Sequence, residues 1–163
     1  MLSGVTHKLV QPGKTRWLSY EGSIAVVCKH FAALCVALEH IHQDAGDYSS
    51  VAGGLLLVFR NSSTAFYLTL LSIMLKPLAR LSQMLQCSSA TLGSVHNTVQ
   101  AVRESLQVID MSKVQVSCKE MIDTASKAGV KIVQDLAWDK SKAVGIKYRD
   151  AVFDCYRKYE TAL

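Results

Sequence analysis

Apolar side chains recur at steps of three and four residues along most of this chain, and this spacing constrains the fold more than any other feature. Steps of three and four place side chains on one side of an α-helix, which turns once every 3.6 residues. Such a side is buried against another helix. The clearest stretch runs through six positions: Leu92, Val95, Val99, Val102, Leu106 and Ile109. The sequence therefore predicts an all-α fold, an irregular bundle of about six helices.

Five other segments share this helical spacing. We expect helices over about Leu18–Ala45, Ser49–Arg60, Ser62–Gln86, Cys118–Leu136 and Val144–Tyr159. Pro77 should bend or break its helix, because proline lacks a backbone donor and clashes with the preceding turn. Gly129 should loosen the helix around it. We expect a helical region over residues 1–110 and a C-terminal helical pair over 111–163 that packs on it within one domain.

The composition indicates a folded intracellular protein. Half of the 163 residues are hydrophobic and 19% are charged, which is the opposite of the composition of disordered chains. The net charge of +5 favours encounters with phosphate groups or anionic surfaces. Five scattered cysteines and a charged N-terminal stretch without a leader-like apolar core predict reduced thiols in an intracellular compartment.

The most apolar region lies between Asp47 and Lys76, where Arg60 is the one charged residue. Crossing a bilayer takes about 20 mostly apolar residues in one helix. Here the polar cluster from Arg60 to Thr64 divides the region into two shorter pieces. We therefore expect two core helices and no membrane partner, and a helical membrane or adaptor protein is the alternative interpretation.

A Thr-Arg-Trp-Leu-Ser motif occupies residues 15–19, directly before the first predicted helix. It resembles the motif that opens an all-helical insertion in the ribonuclease-H-like domain of hAT (hobo/Activator/Tam3) transposases and of cellular proteins derived from them. A weaker similarity in apolar spacing extends over residues 8–110. The resemblance implies that this chain corresponds to the helical insertion of such a protein and acts in the nucleus.

The resemblance also implies a nucleic-acid site at Arg16 and Trp17. In the family, the tryptophan of this motif is thought to stack on a base extruded from DNA near the transposon end. Base stacking on an aromatic ring contributes about 1–3 kcal/mol, and the arginine could contact a phosphate. In the alternative interpretation, Trp17 packs at the start of the first helix and Arg16 is solvated.

Catalysis in this family uses three carboxylates that hold divalent metal ions. The resemblance places two of them before the matched region and one after it, and Glu160 lies in no recognisable version of the later motif. We therefore predict no catalytic residues, no cofactor and no small-molecule substrate. The alternative is that the chain is part of an active DNA transposase whose carboxylates lie outside it.

Two other residue sets could carry chemistry. Cys28, Cys35 and His42 recur at intervals of seven, but zinc ligands normally come in short pairs such as Cys-x-x-Cys, so we expect core packing and no metal site. Basic and aromatic residues alternate near the C-terminus and could grip a single strand, although interspersed acids favour an ordinary solvated helix. The members of this second set are Trp138, Lys140, Lys142, Lys147, Tyr148, Arg149, Tyr156, Arg157, Lys158 and Tyr159.

From these features we expect a non-catalytic remnant or fragment of a domesticated hAT transposase. It would act as a helical scaffold for protein or nucleic-acid contact. The partners would be DNA, another protein or a second copy of the chain.

Overall fold

The computed structural model describes residues 17–136 and 138–160, without the side chains of 17–19 and of several residues in the last helix. The described residues form seven α-helices, which confirms the all-α prediction with one helix more than expected. They are α1 (Trp17–Lys29), α2 (Phe31–Gln43), α3 (Ser49–Phe59), α4 (Ser62–Leu85), α5 (Leu92–Gln107), α6 (Met111–Lys127) and α7 (Trp138–Glu160).

The additional helix arises because the first predicted helix is two helices. The chain bends by 78° between α1 and α2 at His30, whose ψ of 18° departs from helical geometry. Backbone hydrogen bonds continue up to the bend and resume after it, from His30 to Val26 and from Leu34 to His30. The bend lets α1 pack on α4 while α2 packs on α3 and α6. Tertiary packing therefore overrides a continuous apolar pattern.

The central helix α4 contacts α1, α3, α5, α6 and α7. Its fully buried side chains include Phe66 and Leu70, which share a core with Phe31 from α2 and Leu106 from α5. Pro77 does not break α4, contrary to one of the two outcomes predicted for it. Buried side chains before and after the proline hold both parts of the helix in the bundle.

The helix α6 ends at Lys127, well before the end predicted at Leu136. Gly129 adopts a left-handed φ of 88°, which an L side chain rarely tolerates. The N–H of Val130 donates to the carbonyl of Ala125, and the N–H of Gly129 donates to the carbonyl of Ser126. This is a Schellman motif, in which two backbone bonds close the helix. Gly129 therefore stops the helix where the sequence pattern indicated only a loosening.

The segment after α6 is attached to the start of α4. Val133 donates its N–H to the carbonyl of Arg60 at 2.7 Å and accepts from the N–H of Ser62 at 2.9 Å. The carboxylate of Asp135 accepts from the Ser63 N–H at 2.8 Å and from the Ser62 hydroxyl at 2.9 Å, and also from the Ser63 hydroxyl. A carboxylate from a distant loop therefore satisfies donors at the N-terminus of α4.

The helices α2 and α3 form a hairpin held at both ends. Near the turn, the Ser49 hydroxyl donates to the His42 carbonyl at 2.7 Å, and His42 Nδ1 lies 3.0 Å from the Ser49 carbonyl oxygen. At the other end Phe31 stacks on Phe59 with ring centroids 5.6 Å apart. Here Arg60 also donates to Glu39 at 2.6 Å. The one charged residue of the apolar region is thus paired across the hairpin.

The turn between α5 and α6 lies at the junction of residues 1–110 and 111–163. Asp110 caps α6 by accepting from the N–H of Ser112 at 2.9 Å. Buried residues from both sides of this turn belong to one hydrophobic cluster, in which Val102 and Leu106 lie with Val114 and Cys118.

Helix α4 has the length and apolar composition of a membrane span, and 39% of its most apolar window is buried in the bundle. The bent pair of α1 and α2 meets the same criterion if counted as one span. Core helices of bundles also meet it.

Candidate functional site

The predicted nucleic-acid site falls at the edge of the described residues. Trp17 is the first residue of α1, while Arg16 and the side chain of Trp17 lie outside the described residues. The motif thus ends in the first turn of a helix.

The body of α1 is held on α4, so the start of α1 has a fixed support. Cys28, near the other end of α1, lies close to Ser72 and Lys76 of α4. Burial raises the pKa of the Cys28 thiol, although a hydrogen bond with Ser72 and the charge of Lys76 partly offset this effect. A helix start directs free backbone N–H groups outward and attracts anions. The first turn of α1 contains no acidic residue that would oppose a phosphate.

The basic and aromatic residues near the C-terminus lie on α7. Lys140 and Lys147 are exposed, and the guanidinium of Arg149 donates to Asp150 at 2.8 Å. Tyr148 is half exposed, with its ring 5.2 Å from that of Tyr67 on α4. The described part of this set is therefore a solvated helix surface with one local ion pair and one packed tyrosine.

The three residues at intervals of seven do not share one helix. Cys28 belongs to α1, whereas Cys35 and His42 follow the bend in α2. Cys35 is fully buried in the core, and His42 contacts the start of α3. Among the described residues, no three His, Cys, Asp or Glu side chains are grouped closely enough to hold a metal ion.

The bend at His30 opens a cleft of about 370 Å³ against α6. Its rim includes Lys29 and His30 from the bend, and Ser117 and Glu120 from α6. A cation, an imidazole, a hydroxyl and a carboxylate thus line one concave surface. Sequence reasoning missed this cleft because the bend has no proline or glycine at His30 to reveal it.

An exposed apolar surface on α3 was also missed. We call it the α3 face; its side chains are between 46% and 75% exposed. Its members are Tyr48, Val51, Leu55 and Val58, whereas Leu57 is exposed on another side of the helix. The four members follow steps of three, four and three, a signal present in the sequence. The sequence predicts a core helix here, and the exposed side of α3 was not part of that expectation.

Comparison with protein-family models, curated proteins and solved structures finds no match to this chain. The resemblance to hAT transposases therefore depends on the motif at residues 15–19 and on the apolar spacing after it.

Proposed function

We propose that this chain is a non-catalytic helical scaffold, related to the helical insertion of hAT transposases, that contacts DNA at the start of α1. The observation that supports the proposal is the position of the motif. Its tryptophan is the first residue of a helix packed on the central helix of the bundle. The helix that begins with this residue is therefore part of the bundle.

The contact would combine stacking with phosphate neutralisation. Trp17 supplies an indole on which an unpaired base can stack without regard to its identity. Arg16 supplies a permanent charge with forked donors that suit a phosphate. The net charge of +5 adds long-range attraction for DNA.

A titration with two DNA probes tests this proposal. One probe is a duplex with a single bulged base, and the other is the same duplex fully paired. The wild-type chain should prefer the bulged probe, and Trp17→Ala should weaken that binding by about 5- to 150-fold, the equivalent of one stacked base. Arg16→Ala should weaken binding to both probes and lower the salt dependence by about one phosphate contact.

Matched control variants separate this site from general surface effects. Leu92→Ala removes an exposed apolar side chain on another helix, and Lys127→Ala removes a cation at the end of α6. Both controls should keep the preference for the bulged probe. Equal affinity of the wild type for both probes, or equal losses in Trp17→Ala and Leu92→Ala, would defeat the proposal.

A further inference from the structure

Among the described residues, the apolar side chains of the α3 face remain exposed. The helix α3 packs mainly on α2 and makes few contacts with α4. Tyr48, Val51, Leu55 and Val58 follow one another at steps of three, four and three residues, which is the spacing of a helix-pairing seam. Apolar patches of this kind on a soluble domain commonly mark interaction sites. The identity of the occupant follows from the charges around the patch.

The α3 face has no charge of its own, since no charged residue occurs between Ser49 and Phe59. Arg60 follows the helix, but its guanidinium is directed to Glu39 of α2. A two-fold axis places a surface against itself, so a charged face would repel its own copy. An uncharged apolar face avoids that repulsion and can pair with itself.

The two ends of α3 differ in charge. Asp44 and Asp47 lie exposed before its N-terminus. Beside its C-terminus, the loop that bonds to Arg60 through Val133 carries the exposed Lys131. Asp135 lies in the same loop, where its carboxylate is engaged with Ser62 and Ser63.

We propose that the α3 face is a homodimer interface, in which α3 pairs antiparallel with the α3 of a second copy. Antiparallel pairing brings Asp47 at the N-terminal end of one helix towards the partner's Lys131. Gly54 lies exposed on this surface with nothing within 4 Å of an added Cβ, so the two helix backbones can approach closely. The inference goes beyond the proposed DNA contact, because it uses a different helix.

The charges near α3 also favour a second copy of the chain over a lipid surface. Helices that lie on membranes carry lysine or arginine on their polar side, where they attract anionic lipids. The helix α3 has neither, and the acidic residues at its start would be repelled by such lipids. In a second copy of the chain, the positive charge of Lys131 attracts Asp44 and Asp47.

The size of the patch sets the strength of the dimer. An 11-residue helix is about 16 Å long. One face of such a helix buries less than the roughly 800 Å² per partner found in stable interfaces. We therefore expect a reversible dimer whose population depends on protein concentration.

Sedimentation of the full chain over about 5 to 500 μM tests this directly. The average mass should rise from 17.9 kDa towards twice that value with concentration. Leu55→Lys and Val51→Lys should each keep the chain monomeric over the whole range. The matched control Val116→Lys, at an equally exposed valine on α6, should dimerise like the wild type. Circular dichroism confirms that each variant is folded.

A charge exchange tests the antiparallel arrangement. Asp47→Lys should weaken the dimer at least several-fold, and the double variant Asp47→Lys/Lys131→Asp should restore it. Trp17→Ala should leave self-association unchanged, so this proposal and the DNA proposal fail separately. A wild type that stays monomeric at 500 μM, or Val116→Lys losing dimers as Leu55→Lys does, would overturn the interface. Binding of the monomer to anionic vesicles through Leu55 would assign the surface to lipid instead.

Discussion

The imidazole of His42 lies directly over the Cα of Gly53, across the hairpin of α2 and α3. A Cβ built at Gly53 would approach both Nδ1 and Cε1 of the ring to 2.8 Å. The same ring contacts Ser49 through Nδ1 at 3.0 Å. A glycine in the middle of α3 therefore has a packing reason, which offsets its low helix propensity.

Gly53→Ala and Gly54→Ala should have different effects on stability. Gly54 has open space around an added Cβ, so alanine there should raise the free energy of unfolding by about 0.5–1 kcal/mol through helix propensity. Alanine at Gly53 must displace the His42 ring and should be the less stable variant by about 1 kcal/mol or more. Urea denaturation at low protein concentration measures both.

A double-mutant cycle identifies the cause of that difference. In a His42→Ala background the ring is gone, and Gly53→Ala should then be as favourable as Gly54→Ala. If Gly53→Ala destabilises the His42→Ala chain as much as the wild type, the contact with the ring is not responsible.

Gly145 brings α7 close to the core. A Cβ there would lie 2.5 Å from Met111 Sδ and 3.1 Å from Phe66 Cζ. Because Phe66 and Met111 are both buried, Gly145→Ala should lower the free energy of unfolding by about 1–3 kcal/mol through overpacking. Gly93→Ala on α5 meets nothing within 4 Å and is the control. Equal stability of the two variants in denaturant titrations would contradict the close packing of α7.

Asp135 should make stability depend on pH in the acidic range. Slight burial raises the pKa of its carboxyl, but hydrogen bonds from Ser63 and Ser62 outweigh this, so the pKa lies below its ordinary value. The Asp135 carboxylate therefore contributes its full stabilisation above about pH 3.9, the pKa of this carboxyl in the unfolded chain. This stabilisation is lost as the pH falls through the lower pKa of the folded chain. A carboxylate at a surface helix start contributes about 0.3–1 kcal/mol.

Asp135→Asn should remove this part of the acid dependence, so that variant and wild type converge in stability at low pH. Thermal unfolding between pH 2 and pH 7 follows the difference. Asp123→Asn, at an exposed carboxylate on α6, is the matched control for the loss of one negative charge. If the difference in stability between Asp135→Asn and the wild type is the same at every pH, the loss of stability comes from packing and not from charge.

The described cysteines should differ widely in reactivity. Burial raises the pKa of the Cys118 thiol to about 12. Hydrogen bonds with Ser89 lower the pKa of the exposed Cys87. Because the thiolate is the reactive form, a thiol reagent at neutral pH should label Cys87 first and Cys118 only after denaturation. Peptide mapping by mass spectrometry assigns the sites, and rapid labelling of Cys118 in the folded chain would contradict its burial.

The sequence predicted those helices whose limits are marked by residues nearby in the chain. The helices α3 to α5 begin and end close to their predicted limits, whereas α6 begins at Met111, earlier than the predicted Cys118. The break at His30 has no local signal, since apolar residues continue through it. Its cause is the packing of α1 and α2 on different neighbours.

The candidate nucleic-acid site, Arg16 and Trp17, is predicted from the sequence motif. The structure adds that Trp17 is the first residue of α1. The α3 face was present in the sequence as a three-four-three spacing, but the same spacing describes a buried helix. Only the arrangement of neighbouring helices shows that this side is exposed in the part of the chain that the structure describes.

The sequence by itself determined that the described chain is helical and where α3, α4 and α5 begin and end, because periodicity and polar breaks act over one or two turns. The tertiary structure decided which apolar sides are covered. It also placed the bend at His30 and brought Asp135 to the start of α4. These outcomes depend on contacts between residues far apart in the chain, such as Ser63 with Asp135, and no short stretch of sequence contains both partners.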